Sequence, residues 1–200
     1  MAGTVSLQEF HRCITQLLTI SDRLADGWTI LNKETPEKTY LMKKIIVPDT
    51  DNKLDVDATV LPLEEHLDDV LKDENAIAEQ KIGTLTWEYH VLYSHSYSVP
   101  TLYFNAWTID GRLLSLEDMW RHVNAKFQDI MKEDGWSVLT QQEHPVLRRP
   151  FYLLHPCRTA EFLDCFQGKS SNIVITWLSS VGPVVGLTLS AQYGQTVSTE

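Results

Sequence analysis

Leu7, Phe10, Ile14, Leu17, Leu18 and Leu24 recur every three or four residues, the spacing of one apolar helix face. Ser6-Leu7-Gln8-Glu9 stands at the head of that stripe and reads as a capping box, with the Ser hydroxyl accepting from a first-turn amide and Glu9 reaching back. The spacing therefore predicts an amphipathic helix that starts at Ser6, packs on a sheet and ends at Asp26-Gly27. The period then changes. Residues 28–31 and 40–47 are β-prone runs separated by Asn32-Lys33-Glu34-Thr35-Pro36, which predicts an antiparallel hairpin. In 85–93, Trp87, Tyr89, Val91 and Tyr93 alternate onto one face, and 99–107 alternates again, with Pro100 marking an edge strand or a strand start. Asp110-Gly111 supplies a turn. Ser115-Leu116-Glu117-Asp118 is a second capping-box pattern, followed by Leu116, Met119, Trp120, Val123, Phe127 and Ile130 at helical spacing. A long central helix is expected there, broken at Gly135 and followed by a short strand at 136–139.

Prolines change the picture towards the C-terminus. His144-Pro145, Pro150 and His155-Pro156 predict a packed-down loop over 141–157, with one short strand at 151–154. Thr159 is a good N-cap for a helix over 160–166, and Asn172 for one over 173–180 that Gly182-Pro183 stops. Residues 49–79 interrupt the periodic segments. Eleven acidic residues face only Lys53 and Lys72 there, and the stretch reads as a flexible acidic insertion, with a short helix at 63–70 or a docking arm for a basic partner as alternatives. No linker divides two cores, so residues 1–200 are read as a single α+β domain.

The chain has 200 residues, 43% of them apolar and 22% charged, enough for a real core. Its formal charge of −10 works against the counterion release that drives nucleic-acid binding. The N-terminus carries no basic and apolar signal pattern, and no run approaches the ~20 apolar residues of a membrane span. A cytoplasmic protein, not embedded in a membrane, is expected. Three cysteines without a CxxC pair suit a reducing compartment and leave each thiol available for chemistry.

Cys157 stands out among them. It follows His155-Pro156, precedes the expected cap at Thr159 and has Arg158 beside it, a setting that favours a thiolate. The alternative is a buried structural cysteine. Cys13 lies on the first helix and Cys165 sits between Asp164 and Phe166; both read as structural. No orienting Asn or Asp is identifiable for a Cys–His protease pair. The histidines His90, His95, His122, His144 and His155 show no metal-ligand spacing, so a metal site is not expected. Gly182-Pro183-Val184-Val185-Gly186 lacks the Lys and Ser/Thr of a phosphate loop and reads as a turn.

Several runs together resemble one family. They are Tyr89-His90-Val91-Leu92-Tyr93-Ser94, Tyr97-Ser98-Val99-Pro100-Thr101-Leu102-Tyr103-Phe104, Asp110-Gly111-Arg112, Gln141-Gln142-Glu143-His144-Pro145, His155-Pro156-Cys157 and 177–187. These resemble the autophagy E2-like conjugating enzymes over residues 85–189. The resemblance implies an E2-like (UBC-like) core: an antiparallel sheet packed by an N-terminal helix and a long central helix, with C-terminal helices. It also implies that Cys157 accepts a ubiquitin-like modifier, autophagy-related protein twelve, as a thioester from the E1-like autophagy-related protein seven. Transfer to a lysine of autophagy-related protein five follows. The sister enzyme that modifies phosphatidylethanolamine shares the His-Pro-Cys motif but is longer, with a large insertion. The His-Pro-Asn motif of ubiquitin E2 enzymes is missing, so no oxyanion residue carries over from them.

Thioester chemistry needs an exposed thiol, a positioned amine and a stabilised oxyanion. His155 either donates to that oxyanion or only shapes the turn. Tyr97 either positions and desolvates the incoming amine or is core. Two other function classes compete with the acyl carrier: a cysteine hydrolase of modifier conjugates, and a non-catalytic adaptor on the same fold. For the acceptor protein, the strand at 99–104 and the adjoining 93–97 turn are the expected docking surface, by strand addition or through Thr101, Tyr103 and Asn105.

Overall fold

The computed structural model describes residues 3–49, 83–122 and 139–194. Helix α1 runs Leu7–Leu24, with Phe10, Cys13, Ile14 and Leu17 turned inward. Ser6 Oγ accepts from the Glu9 amide at 3.1 Å, which is half of the expected capping box. The other half is absent because Glu9 pairs with Arg12, 2.5 Å away on its own helix. The helix stops at Ala25, which adopts the left-handed conformation (φ 53), ahead of the expected Asp26-Gly27 stop.

Among the described residues six strands form one antiparallel sheet in the order β1-β2-β3-β4-β6-β5. They are β1 (Thr29–Leu31), β2 (Tyr40–Pro48), β3 (Thr84–Ser94), β4 (Val99–Thr108), β5 (Leu139–Glu143) and β6 (Pro150–Leu154). The expected first hairpin is β1–β2, with Thr29 opposite Met42. The two aromatic runs pair as β3–β4, with Tyr89 opposite Phe104 and Val91 opposite Leu102. Alternation sends Trp87, Tyr89, Val91, Leu102 and Phe104 into the core beneath α1, and Glu88, His90, Thr101, Tyr103 and Asn105 to the opposite face.

Two expectations about strands are corrected. Residues 141–143 lie in β5, not in a loop. Pro145 sits in the connecting turn, Pro150 is the first residue of β6 and Pro156 follows its last, so the prolines bracket the strands without interrupting them. Strand β4 is interior, flanked by β3 and β6. Pro100 is tolerated because β6 pairs only with Leu102–Phe104, and Pro100 lies beyond the last partner. Thr101 and Asn105 are 3% and 2% exposed. Strand addition at β4 and docking through Thr101 and Asn105 are therefore corrected, whereas Tyr103 is half-buried and Tyr97 in the adjoining turn is exposed.

Helix α2 spans Leu116–His122 and begins with a reciprocal cap: the Asp118 amide donates to Ser115 Oγ at 3.1 Å, and the Ser115 amide donates to Asp118 Oδ2 at 3.1 Å. The remainder of the expected central helix, Gly135, most of the 136–139 strand, the 63–70 helix and nearly all of the acidic insertion lie outside the described residues. Helix α3 (Thr159–Asp164) and helix α4 (Ile173–Val181) close the helical face. Asn172 caps α4 as expected, accepting from the Ile175 amide at 3.0 Å, and its Nδ2 donates to the Cys13 carbonyl at 2.8 Å, tying α4 to α1. The chain then folds back at Gly182, where a Cβ would stand 2.5 Å from the Leu187 carbonyl oxygen, and Tyr89 Oη donates to the Val185 carbonyl at 2.8 Å. Among the described residues no helix is long and apolar enough to cross a membrane.

Candidate active site

Strand β6 delivers the chain to His155-Pro156-Cys157. A residue before proline is restricted to extended backbone, and His155 has φ −63, ψ 127. Pro156 then opens a single 3-10 turn, Pro156–Arg158, with its ring buried and its fixed φ suited to that first position. Cys157 is thus held in the middle of a tight turn at the sheet end, half-buried and unbridged. Its amide donates to His155 Nδ1 at 3.3 Å. That bond leaves the ring hydrogen on Nε2, which makes the outer edge of the imidazole a donor.

Tyr97 lies in the β3–β4 turn, where its ring meets His155 edge-on at 5.8 Å and 78°. It is 43% exposed, so it is not core. The structure therefore joins His155 to both other expected site residues, to Cys157 through the backbone and to Tyr97 through the rings. Thr159 does not cap the following helix, as the sequence suggested; it has helical backbone and is the first residue of α3, while Arg158 occupies the cap position and its side chain makes no capping bond. Arg158 Nε approaches Glu161 Oε2 at 4.0 Å.

The other two thiols differ in kind. Cys13 is fully buried, burial pushes its thiol upward, and Sγ donates to Glu9 Oε1 at 3.6 Å. Cys165 is exposed at the C-terminal end of α3, with Sγ donating to the Glu161 carbonyl at 3.6 Å. Among the described residues no group of three His, Cys, Asp or Glu side chains could hold a metal.

Sequence reasoning missed a second polar centre, on the sheet face away from α1. The amides of Val146 and Leu147 both donate to His144 Nδ1, at 3.2 and 3.1 Å, so His144 carries its hydrogen on Nε2 and donates to His90 Nδ1 at 3.0 Å. His90 Nε2 in turn donates to Glu88 Oε1 at 3.0 Å, and Lys44 and Arg149 close on the same carboxylate at 2.8 and 3.2 Å. Burial, reinforced by His90 and Arg149, pushes His144 down to about 3. Burial alone would raise Glu88, but the hydrogen bonds from His90 and Lys44 hold it down to about 2. The signal was present as polar residues at 88 and 90 inside an apolar strand. Their partner, His144, stands more than fifty residues away.

With this geometry in place, comparison with known proteins decides the family. A family model described as autophagocytosis associated protein, active-site domain, matches residues 9–192. The chain belongs to this family. It is 45% identical over 150 residues to the human ubiquitin-like-conjugating enzyme ATG10, covering 70% of this chain and 67% of that protein. The Arabidopsis thaliana enzyme of the same name is 29% identical over 201 residues, covering 84% of this chain and 88% of the relative. A crystal structure titled autophagic E2, Atg10, superposes with a TM-score of 0.50 at 18% identity, covering 92% of this chain and 98% of the other. That likeness shows the α+β, E2-like fold. The family and its relatives establish an E2-like conjugating function in autophagy, as the resemblance implied.

Proposed function

We propose that Cys157 is the thioester nucleophile of this E2-like enzyme. The observation that carries the proposal is the turn itself: a half-buried thiol at the sheet end, on a rigid His-Pro-Cys corner, beside one imidazole donor and one exposed aromatic ring. In the loading step the Cys157 thiolate attacks the carbonyl of the modifier's C-terminal glycine, held as a thioester on an E1-like enzyme. The carbon–sulfur bond to the E1 cysteine breaks, and that sulfur leaves as thiolate. In the transfer step a neutral lysine amine attacks the Cys157 thioester, the isopeptide bond forms, Cys157 leaves as thiolate and the amine gives its proton to solvent.

His155 Nε2–H is the donor available to the oxyanion, because the Cys157 amide is already engaged by His155 Nδ1. Tyr97 walls the approach of the amine and excludes water from it. The chemistry requires neither metal nor organic cofactor. The partners are a ubiquitin-like modifier and an E1-like enzyme, specifically autophagy-related proteins twelve and seven, with autophagy-related protein five as acceptor, and the setting is the cytoplasm. Residues 1–200 act as one conjugating domain, with 49–79 an acidic insertion in it.

A hydrolase would need His155 to face the thiol, whereas its bond runs to the Cys157 amide. Incubation with E1-like enzyme, modifier and ATP, resolved without reductant, tests the proposal. A band larger by one modifier that collapses with dithiothreitol, and is chased into acceptor conjugate, is expected. Cleavage of preformed conjugate would indicate the hydrolase, and no adduct at all the adaptor.

A further inference from the structure

The N-terminal residues ahead of α1 contact both the β3–β4 hairpin and the helix α3 that follows the Cys157 turn. The Val5 amide donates to the Ser98 carbonyl at 2.8 Å, and Tyr93 Oη donates to the Val5 carbonyl at 2.8 Å, which stitches residue 5 to the end of the β3–β4 hairpin that carries Tyr97. Two residues earlier the chain presses on α3. Gly3 is buried with φ +81, and a Cβ built on it would lie 1.8 Å from the Ala160 carbonyl oxygen and 2.6 Å from its carbon. Only glycine satisfies both the left-handed backbone and that approach. An open groove of about 310 Å³, lined by Gly3, Val5, Ser6, Leu163 and Phe166, borders this segment.

Helix α3 depends on such support. Six residues are too few to hold a helix by their own hydrogen bonds. Leu163, which is 1% exposed, anchors it to the core, and Gly3 lies against its backbone between Ala160 and Asp164, a built Cβ standing 3.1 Å from the Asp164 amide nitrogen. We propose that residues 3–5 are a positioning strap for the nucleophile. They set the separation between the β3–β4 turn, with Tyr97, and α3, and so hold Cys157 and His155 in line with the incoming acyl group. This inference rests on Cys157 being the nucleophile.

Gly3→Ala tests it, with Gly27→Ala as matched control: Gly27 also has positive φ (+88) but nothing within 4 Å of a built Cβ. Each variant is loaded by E1-like enzyme, modifier and ATP at a temperature where circular dichroism shows it folded. Gly3→Ala should lower the maximal loading rate about 10- to 100-fold, as small misplacements of reacting groups do, with the KM for loaded E1 unchanged. Alkylation of Cys157 by iodoacetamide, scored by peptide mass against exposed Cys165, should change in Gly3→Ala and not in Gly27→Ala. Tyr93→Phe removes only the bond to Val5 and should slow loading about 2- to 5-fold, near the worth of one hydrogen bond; it decides the matter if Gly3→Ala does not fold. Normal loading by folded Gly3→Ala, equal slowing in Gly27→Ala, or normal loading by Tyr93→Phe where only that variant folds, overturns the strap. Loading retained by Cys157→Ala would instead overturn the nucleophile assignment on which it rests.

Discussion

At one end of the β5–β6 hairpin His144 is completely buried and has both ring nitrogens engaged; at the other end Cys157 is half-buried and its amide makes one 3.3 Å bond. The first centre holds two strongly shifted groups, His144 near 3 and Glu88 near 2, yet its Glu88–His90–His144 core is buried, and only Lys44 and Arg149 reach the surface. Strongly perturbed titration is often taken as a pointer to catalysis, but structural ion-pair networks perturb it too. Here the fully satisfied network clamps the turn between β5 and β6 to β3, and the clamped hairpin carries the His-Pro-Cys corner at its far end. The sparse contacts of Cys157 suit the proposed role: a thiol that receives and surrenders a whole protein domain would have to stand clear of its own fold.

The comparison breaks most directly at Cys157. Cys157→Ala should abolish thioester loading while shifting unfolding stability by less than about 0.5 kcal/mol, as expected for a partly exposed side chain with few contacts. His144→Ala should do the reverse. Leaving the Glu88–His90 pair buried without its partner should cost on the order of 1–3 kcal/mol in urea unfolding, with loading per folded molecule preserved at low temperature. If His144→Ala stays stable and loses transfer, the network belongs to catalysis.

His155→Ala sharpens the site end. Discharge to the acceptor lysine should slow by about 10- to 1,000-fold, the upper part matching loss of one oxyanion donor, with thermal unfolding little changed. A variant that unfolds early, or discharges normally, would leave His155 a role in the turn alone. At Tyr97 the ring, not the hydroxyl, makes the contact with His155, so Tyr97→Phe should discharge normally and Tyr97→Ala about 2- to 10-fold more slowly, the worth of one aromatic pair. Equal loss in both variants would move the effect to the hydroxyl.

A separate effect is in pH dependence. His144 is depressed from 6.5 to about 3, so the unfolded chain binds the extra proton first as pH falls. Its contribution to stability is complete above pH 6.5 and is lost between there and about 3, at up to roughly 1.4 kcal/mol per pH unit. Subtracting the urea stability of His144→Gln from that of the unaltered protein at pH 7, 6 and 5 should isolate this slope. A difference that does not vary with pH would contradict a neutral buried His144.

Much of this architecture was legible in the sequence because local pattern and tertiary burial agree. The stripe from Leu7 to Leu24, the paired aromatics of β3 and β4 and the Asn172 cap each satisfy their own local rule and the global fold at once. Strand β5 was not legible, since Gln141, Gln142 and Glu143 are all exposed and only Leu139 marks the buried face. Pro100 misled for a related reason: proline reports a missing donor at its own position, not the pairing of the whole strand. At the site, the His-Pro-Cys corner could be read from adjacent residues. The Glu88–His90–His144 network and the contact of Gly3 with Ala160 could not, because each joins residues that only the folded chain brings together.

The most direct measurement is peptide mapping of the trapped adduct. Cys157→Ser, loaded with E1-like enzyme, modifier and ATP, should give an adduct that survives dithiothreitol, since alkoxide is the poorer leaving group. Mass spectrometry of its digest should place the modifier's C-terminal glycine on residue 157, and a Cys13→Ser, Cys165→Ser double variant should still give a reducible adduct at Cys157. A reducible adduct that persists in Cys157→Ala, or maps to Cys165, would contradict the assignment of Cys157 as the nucleophile.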